Sequence, residues 1–206
     1  MTNEQYHSLI RPYTDAMNLI LARLDVLNHQ VYERDEIKPI HSITSRIKEK
    51  ESIENKLHRK HSNGSVRDAK SLLQDIAGVR VVCFFEQDIR HLRDALKKQT
   101  DLVLIKEKDY ITNPKPNGYR SYHLIVGVPI YYMETMEYYP VEIQFRTISM
   151  DFWAAMEHRI CYKNQPFNEL EMKNAFRQYS DILEKMEKSF EVYSENQGQC
   201  ASSQQT

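Results

Sequence analysis

Residues 78–85 read GVRVVCFF. A run this dense in β-branched and aromatic side chains is a buried strand, so the chain must build a sheet and find helices to cover it. Helical spacing on either side supplies them. Val66, Ala69, Leu72, Leu73 and Ile76 mark a short helix before the strand, and Ile89, Leu92 and Leu96 mark one after it. DLVLIKEKDY (101–110) is a further strand. SYHLIVGVPIYY (121–132) and EYYPVEIQFRT (137–147), separated by METM, form a hairpin in which Pro129 and Pro140 limit pairing near the turn.

At the amino end, Ile10, Tyr13, Met17, Ile20, Leu21, Leu24, Leu27 and Val31 define one face of a long helix, and Ile43, Ile47, Ile53 and Leu57 suggest a second helix. HSNGS (61–65) is a loop. ISMDFWAAMEHRICY (148–162) is helical. Over 167–195 the apolar positions Met172, Phe176, Tyr179, Leu183, Met186, Phe190 and Tyr193 alternate steps of four and three, a narrow heptad seam suited to docking on its own domain or to self-association. The class is mixed α/β, of the α+β kind, with one mixed sheet flanked by helices. Residues 1–195 form a single domain, and the polar residues 196–206 a disordered tail.

The 206 residues carry 28 Lys plus Arg against 29 Asp plus Glu, so any anion site must be local. Cys83, Cys161 and Cys200 form no C-x-x-C pair, which points to a reducing compartment. No apolar run is long enough to span a membrane and no signal pattern opens the chain, so a cytoplasmic protein is expected.

Five glycines, at 64, 78, 118, 127 and 198, give neither G-x-G-x-x-G nor a P-loop, and no H-E-x-x-H occurs. If nucleotides bind, side chains must hold the phosphates. Arg46, Lys48, Lys50, Lys56, Arg59 and Lys60 lie within fifteen residues that contain only three acids, Glu49, Glu51 and Glu54. They are either a solvated flank or an anion site.

In VEIQFR the alternation of a strand puts Glu142, Gln144 and Arg146 on one face and Val141, Ile143 and Phe145 on the other. Ser121 and His123 join the polar face if the hairpin aligns the two strands. In QDIAGVR, Asp75 stands at the end of a helix and Arg80 enters the strand on the opposite phase from Val79 and Val81. An acid and an arginine at a strand mouth suit a magnesium ligand and a phosphate clamp, or a turn cap with its salt-bridge partner.

DIAGVR, KPNGYRSYH, VEIQFRT and MDFWAAMEH, in this order and spacing, resemble the RelA/SpoT-type alarmone synthetase domain, and the short chain with its tail helix resembles the small alarmone synthetases. The resemblance implies a nucleotidyltransferase-like fold and transfer of a pyrophosphoryl group from ATP to the 3′-hydroxyl of GDP or GTP. It implies Mg2+ held by Asp75 and Glu142, with Glu142 also the base. Arg46 and Arg80 match positions flanking adenine, and Lys48, Lys56 and Arg59 match contacts to the ATP phosphates. Tyr119 matches a guanine-stacking residue, and Lys108, Lys115, His123 and Gln144 match the GDP/GTP side. A homotetramer with pppGpp in a shared cleft is also implied. Asp151 departs from the Asn expected in some members and is left outside the site. The His-Asp metal pair of an alarmone hydrolase does not occur. Two rivals are a binding module for guanosine nucleotides or single-stranded RNA, and a nucleotidyltransferase that releases pyrophosphate.

Overall fold

The computed structural model describes residues 1–35, 38–161 and 169–202. The elements run α1 (Asn3–Asp35), β1 (Ile40–Ile47), α2 (Lys50–Arg59), α3 (Val66–Leu72), β2 (Ala77–Cys83), α4 (Glu86–Lys97), β3 (Val103–Asp109), β4 (Tyr122–Tyr131), β5 (Met136–Thr147), α5 (Ile148–Cys161) and α6 (Glu169–Ser202). One five-stranded mixed sheet has the order β1-β2-β5-β4-β3, in which only β2 and β5 pair in parallel.

The sheet is one strand wider than the sequence suggests. Residues 40–47 form β1 rather than the start of a helix, and α2 begins only at Lys50. Ile43 and Ile47 stand four apart, which satisfies strand alternation as well as a helix turn, and the β-branched residues of IHSITSRI favour the strand. The hairpin also pairs further than the prolines imply, out to Tyr131 opposite Met136. Pro129 lies beyond the last β3–β4 pair at Gly127, and Pro140 lies just before the first β2–β5 pair at Val141. Each proline therefore has one side on which no ladder is interrupted.

Helix α1 lays Leu9, Tyr13, Ala16, Met17, Ile20 and Leu24 over one face of the sheet, against Val79, Val81, Leu124, Val126, Val141, Ile143 and Phe145. Ile89, Leu92 and Leu96 of α4 enter the same core. Burying each of these side chains is worth about 1.5–3 kcal/mol. Val79, Val141, Ile143 and Phe145 are spent on this core, so by strand alternation Arg80, Glu142, Gln144 and His123 emerge on the opposite face.

A smaller cluster joins α5 to α6 through Trp153, Ala154 and Phe176, with Met172 and Leu183 packed at its margin. The heptad seam is thus divided. Phe176 docks within the domain, whereas Tyr179, Met186, Phe190 and Tyr193 are exposed, the last three lining a groove of about 700 Å³ with Phe84, Phe152 and Leu183. Helix α6 continues past position 195 to Ser202, so that part of the expected disordered tail is helical, there being no proline to stop it. Residues 203–206 lie outside the described residues. Among the described residues no helix is long and apolar enough to cross a membrane.

Candidate active site

Strand register assembles the site. Arg46, Gly78 and Glu142 lie side by side across β1, β2 and β5, and Thr44, Arg80, Gln144, His123 and Lys108 form the next row, across all five strands. The bend between α3 and β2 brings Asp75 to the edge of these rows, a few residues beyond the helix rather than at its end. Thr44, Ser45, Arg46, Asp75, Gly78, Val79, Arg80, Glu142 and Gln144 line a cleft of about 250 Å³. A Cβ built on Gly78 would meet only the carbonyl oxygens of Arg46 and Glu142, each at 4.0 Å, so the strand does not need glycine there for room.

Asp75 is the electrostatic centre of the basic segment. Lys48, just after β1, and Lys56, on α2, each place Nζ 2.6 Å from its Oδ2. Burial pushes the Asp75 carboxyl up, but the hydrogen bonds and charges of the two lysines outweigh it and hold it below the ordinary carboxylate value. Its Oδ1 is buried and has no hydrogen-bond partner. Arg59, on the last turn of α2, is exposed and lies outside the cleft lining.

Glu142 accepts hydrogen bonds from His123 Nδ1 at 3.2 Å and Gln144 Nε2 at 3.1 Å. Burial raises its carboxyl and the charge of Asp75 raises it too, yet the bonds from His123 and Gln144 prevail and the net shift is downward. Both acids line the same cleft. No group of three or more His, Cys, Asp or Glu side chains suited to a metal occurs among the described residues. Two carboxylates, one with a buried and unsatisfied oxygen, instead fit a hard octahedral cation that takes its remaining ligands from water and phosphate.

The loop before β4 adjoins the cleft through His123, which bonds both Glu142 and Tyr119. Gly118, at φ 91°, makes the turn, and Tyr119 follows it. The Tyr119 hydroxyl lies 2.9 Å from His123 Nε2 and accepts from Arg146 at 3.1 Å. Lys115 Nζ stands 4.6 Å from the Tyr119 ring centroid and 5.0 Å from that of Tyr110. Tyr119 is therefore a polar hub with a cation on its ring. Lys108 is half-buried opposite His123 on β3. Ser121 does not join the polar patch: it is fully buried and its hydroxyl donates to the Phe145 carbonyl at 3.0 Å.

Asp151, on the first turn of α5, is the residue that the sequence reading leaves out. Its Oδ1 accepts from Arg146 at 2.8 Å and lies 3.5 Å from Arg80 Nη1, so two guanidinium groups offset the charge that would otherwise repel phosphates. Arg80 accordingly pairs with Asp151 and not with Asp75. The phase of Arg146 within VEIQFR was the available signal, but its partner five residues away becomes visible only when β5 turns into α5.

Comparison with known proteins gives the family and the fold. A family model described as a region found in RelA/SpoT proteins matches residues 45–166. GTP pyrophosphokinase YwaC of Bacillus subtilis (strain 168) is 41% identical over 160 residues, 78% of this chain and 76% of that protein. The structure of small alarmone synthetase 1 from Bacillus subtilis bound to its product pppGpp superimposes with a TM-score of 0.80 at 31% identity, covering 94% of this chain and 98% of that one. The same enzyme bound to AMPCPP gives a TM-score of 0.75 at 28% identity, over 95% and 99% of the two chains. The matched region includes both acids and every expected ligand-binding residue. This chain belongs to the RelA/SpoT family and is a small alarmone synthetase by sequence and fold.

Proposed function

We propose that the protein is a GTP diphosphokinase that moves a pyrophosphoryl group from ATP to the 3′-hydroxyl of GDP or GTP, yielding AMP and the alarmone (p)ppGpp of the stringent response. One observation carries the proposal. Asp75 and Glu142 share a small cleft with Arg46 and Arg80, Lys48 and Lys56 both bond to Asp75, and Glu142 is hydrogen-bonded through His123 to the Tyr119 loop.

In this reading the acceptor oxygen forms a bond to the β-phosphorus of ATP, the bond from that phosphorus to the α–β bridging oxygen breaks, and AMP departs with the bridging oxygen. Glu142, kept ionised by His123 and Gln144, takes the hydroxyl proton. Lys48 and Lys56 turn from Asp75 to the phosphates, and Arg46 and Arg80 bracket the adenine. Tyr119 stacks on guanine, with Lys115, Lys108, His123 and Gln144 on the acceptor side. Asp75 and Glu142 would hold a Mg2+ ion, whose charge would offset that of the phosphates.

The exposed seam of α6 supports assembly into a homotetramer working in the cytoplasm. The effectors named by this reading are pppGpp, bound between copies, and single-stranded RNA, bound to the basic residues. Incubation with Mg2+, β-labelled ATP and GDP should place two phosphates on the 3′ side of guanosine and release AMP. Release of pyrophosphate instead would mark a nucleotidyltransferase. No transfer even with added pppGpp would leave a binding module.

A further inference from the structure

The acceptor loop does not hold its own shape. Its internal bonds are few: Lys115 N–H donates to the Tyr119 carbonyl at 3.1 Å, Gly118 N–H to the Lys115 carbonyl at 2.8 Å, and Tyr119 N–H to Asn117 Oδ1 at 3.2 Å. Asn117 Nδ2 donates to Glu157 of α5 at 3.3 Å and His123 and Arg146 hold the Tyr119 hydroxyl, while the turn's main chain is carried by the last helix, about sixty residues on. Ser180 Oγ donates to the Gly118 carbonyl at 2.7 Å, and both residues are buried. A Cβ on Gly118 would stand 2.9 Å from Arg177 Cα, 2.9 Å from Ser180 Cβ and 3.2 Å from the Phe176 carbonyl oxygen. The loop thus rests its main chain directly on the α6 backbone, a contact that only glycine against a small residue permits.

The same turn of α6 is fixed from the other side. Trp153 of α5 donates Nε1–H to the Phe176 carbonyl at 2.8 Å, and its indole packs edge-on to both Phe176 and Tyr119. Further along this face, Glu184 pairs with Arg120 at 3.4 Å, and Glu187 accepts from Thr147 at 2.6 Å and from Ser149. Phe176, Ser180, Glu184 and Glu187 follow helical spacing, so one face of α6 grips the acceptor loop and the end of β5 together. None of these α6 contacts involves Asp75, Lys48 or Lys56.

We propose that α6 is the positioning element for the guanosine acceptor: Ser180 and Gly118, which touch no nucleotide, set where the Tyr119 ring stands and hence the affinity for GDP or GTP, while leaving ATP binding alone. The proposal rests on the reading that the Tyr119 loop holds the acceptor. It deepens that reading by separating the two substrates physically. ATP is met by β1, α2 and β2, and the acceptor by a loop whose register is set by the carboxyl-terminal helix.

Steady-state kinetics with each substrate varied against a saturating partner tests this on the full chain. Ser180→Leu and Gly118→Ala should raise KM for GDP by about tenfold or more, with KM for ATP and kcat at saturating GDP within about twofold. Ser180→Ala keeps the space and removes only the hydroxyl; it should raise the same constant by a smaller factor and guards against misfolding of the larger substitutions. Tyr119→Ala serves as the reference. If it raises KM for GDP while all three loop and helix variants leave it unchanged, the α6 proposal fails and the acceptor reading stands. If Tyr119→Ala has no effect on KM for GDP, the acceptor reading fails and takes the proposal with it. A parallel loss in both KM values and kcat in Ser180→Ala, with a lowered Tm, would show a merely structural role and also overturn it.

Discussion

His123 Nδ1 lies 3.2 Å from Oε1 of Glu142, on the neighbouring strand and one pleat along. Because a carboxylate only accepts, the imidazole donates from Nδ1; in the neutral ring Nε2 then accepts from the Tyr119 hydroxyl, whose oxygen in turn accepts from Arg146. In that tautomer the direction of every bond in the chain is fixed, and it ends on the proposed base. Glu142→Gln should lower turnover by about a thousandfold while nucleotide-induced thermal stabilisation persists. His123→Ala removes a hydrogen bond that favours the ionised carboxylate, so the Glu142 pKa should rise and the acidic limb of the kcat/KM profile should move to higher pH.

Asp75 holds two ammonium groups on one oxygen, and each of them is expected to transfer to the phosphates of ATP. Lys56→Met should raise KM for ATP about tenfold and leave KM for GDP nearly unchanged, measured by AMP release with each nucleotide varied in turn.

Asp88 gives a pH dependence of stability away from the cleft. Its Oδ2 accepts from the Phe85 N–H at 3.0 Å at the start of α4, and burial pushes its carboxyl up to about 6. The folded state therefore binds this proton more tightly than the unfolded chain does. Its contribution to stability is fully present below about pH 4 and is lost as pH rises through 6. Allowing for solvent screening of a partly exposed group, the loss is about 1 kcal/mol. Urea midpoints between pH 4 and 7 should show a shallower decline for Asp88→Asn than for the parent chain.

Tyr179, Ile182, Met186 and Phe190 leave a row of apolar side chains on α6, 49–60% exposed. Ile182→Asp with Phe190→Asp should reduce the native mass measured by light scattering while the far-ultraviolet circular dichroism stays unchanged. Phe176→Asp is unsuited to this purpose, since Phe176 is buried against Trp153 and its loss would cost about 3–5 kcal/mol of folding stability.

Much of this was legible before any coordinates. The buried run at 78–85 and the alternation of VEIQFR give two strands and the sidedness of Glu142 and Gln144, because a strand's period of two places side chains without knowledge of its neighbours. Motif resemblance singled out Asp75 and Tyr119, which the fold places in the cleft and on the adjoining loop. β1 was misread because two isoleucines four apart suit either periodicity, and that error put Arg46 on a helix instead of on the cleft wall. Asp151 was left out for another reason: its pairing with Arg146 crosses the turn from β5 into α5 and its pairing with Arg80 spans distant strands, and neither follows from the period of a single element. Ser121 shows the reverse case, where the phase of the strand is right and burial removes the side chain from the site.

Gly78 has a consequence for how this enzyme tolerates change. It lies between Arg46 and Glu142 in register, has no left-handed backbone to protect, and a methyl group there would touch nothing of the protein nearer than 4.0 Å. The floor of the cleft is bare main chain at that point, and folding does not demand it. Gly78→Ala should melt with the parent protein and still lose activity, because the added methyl takes up space in the cleft proposed for the nucleotide. A screen for well-folded, soluble variants would pass such a chain as healthy.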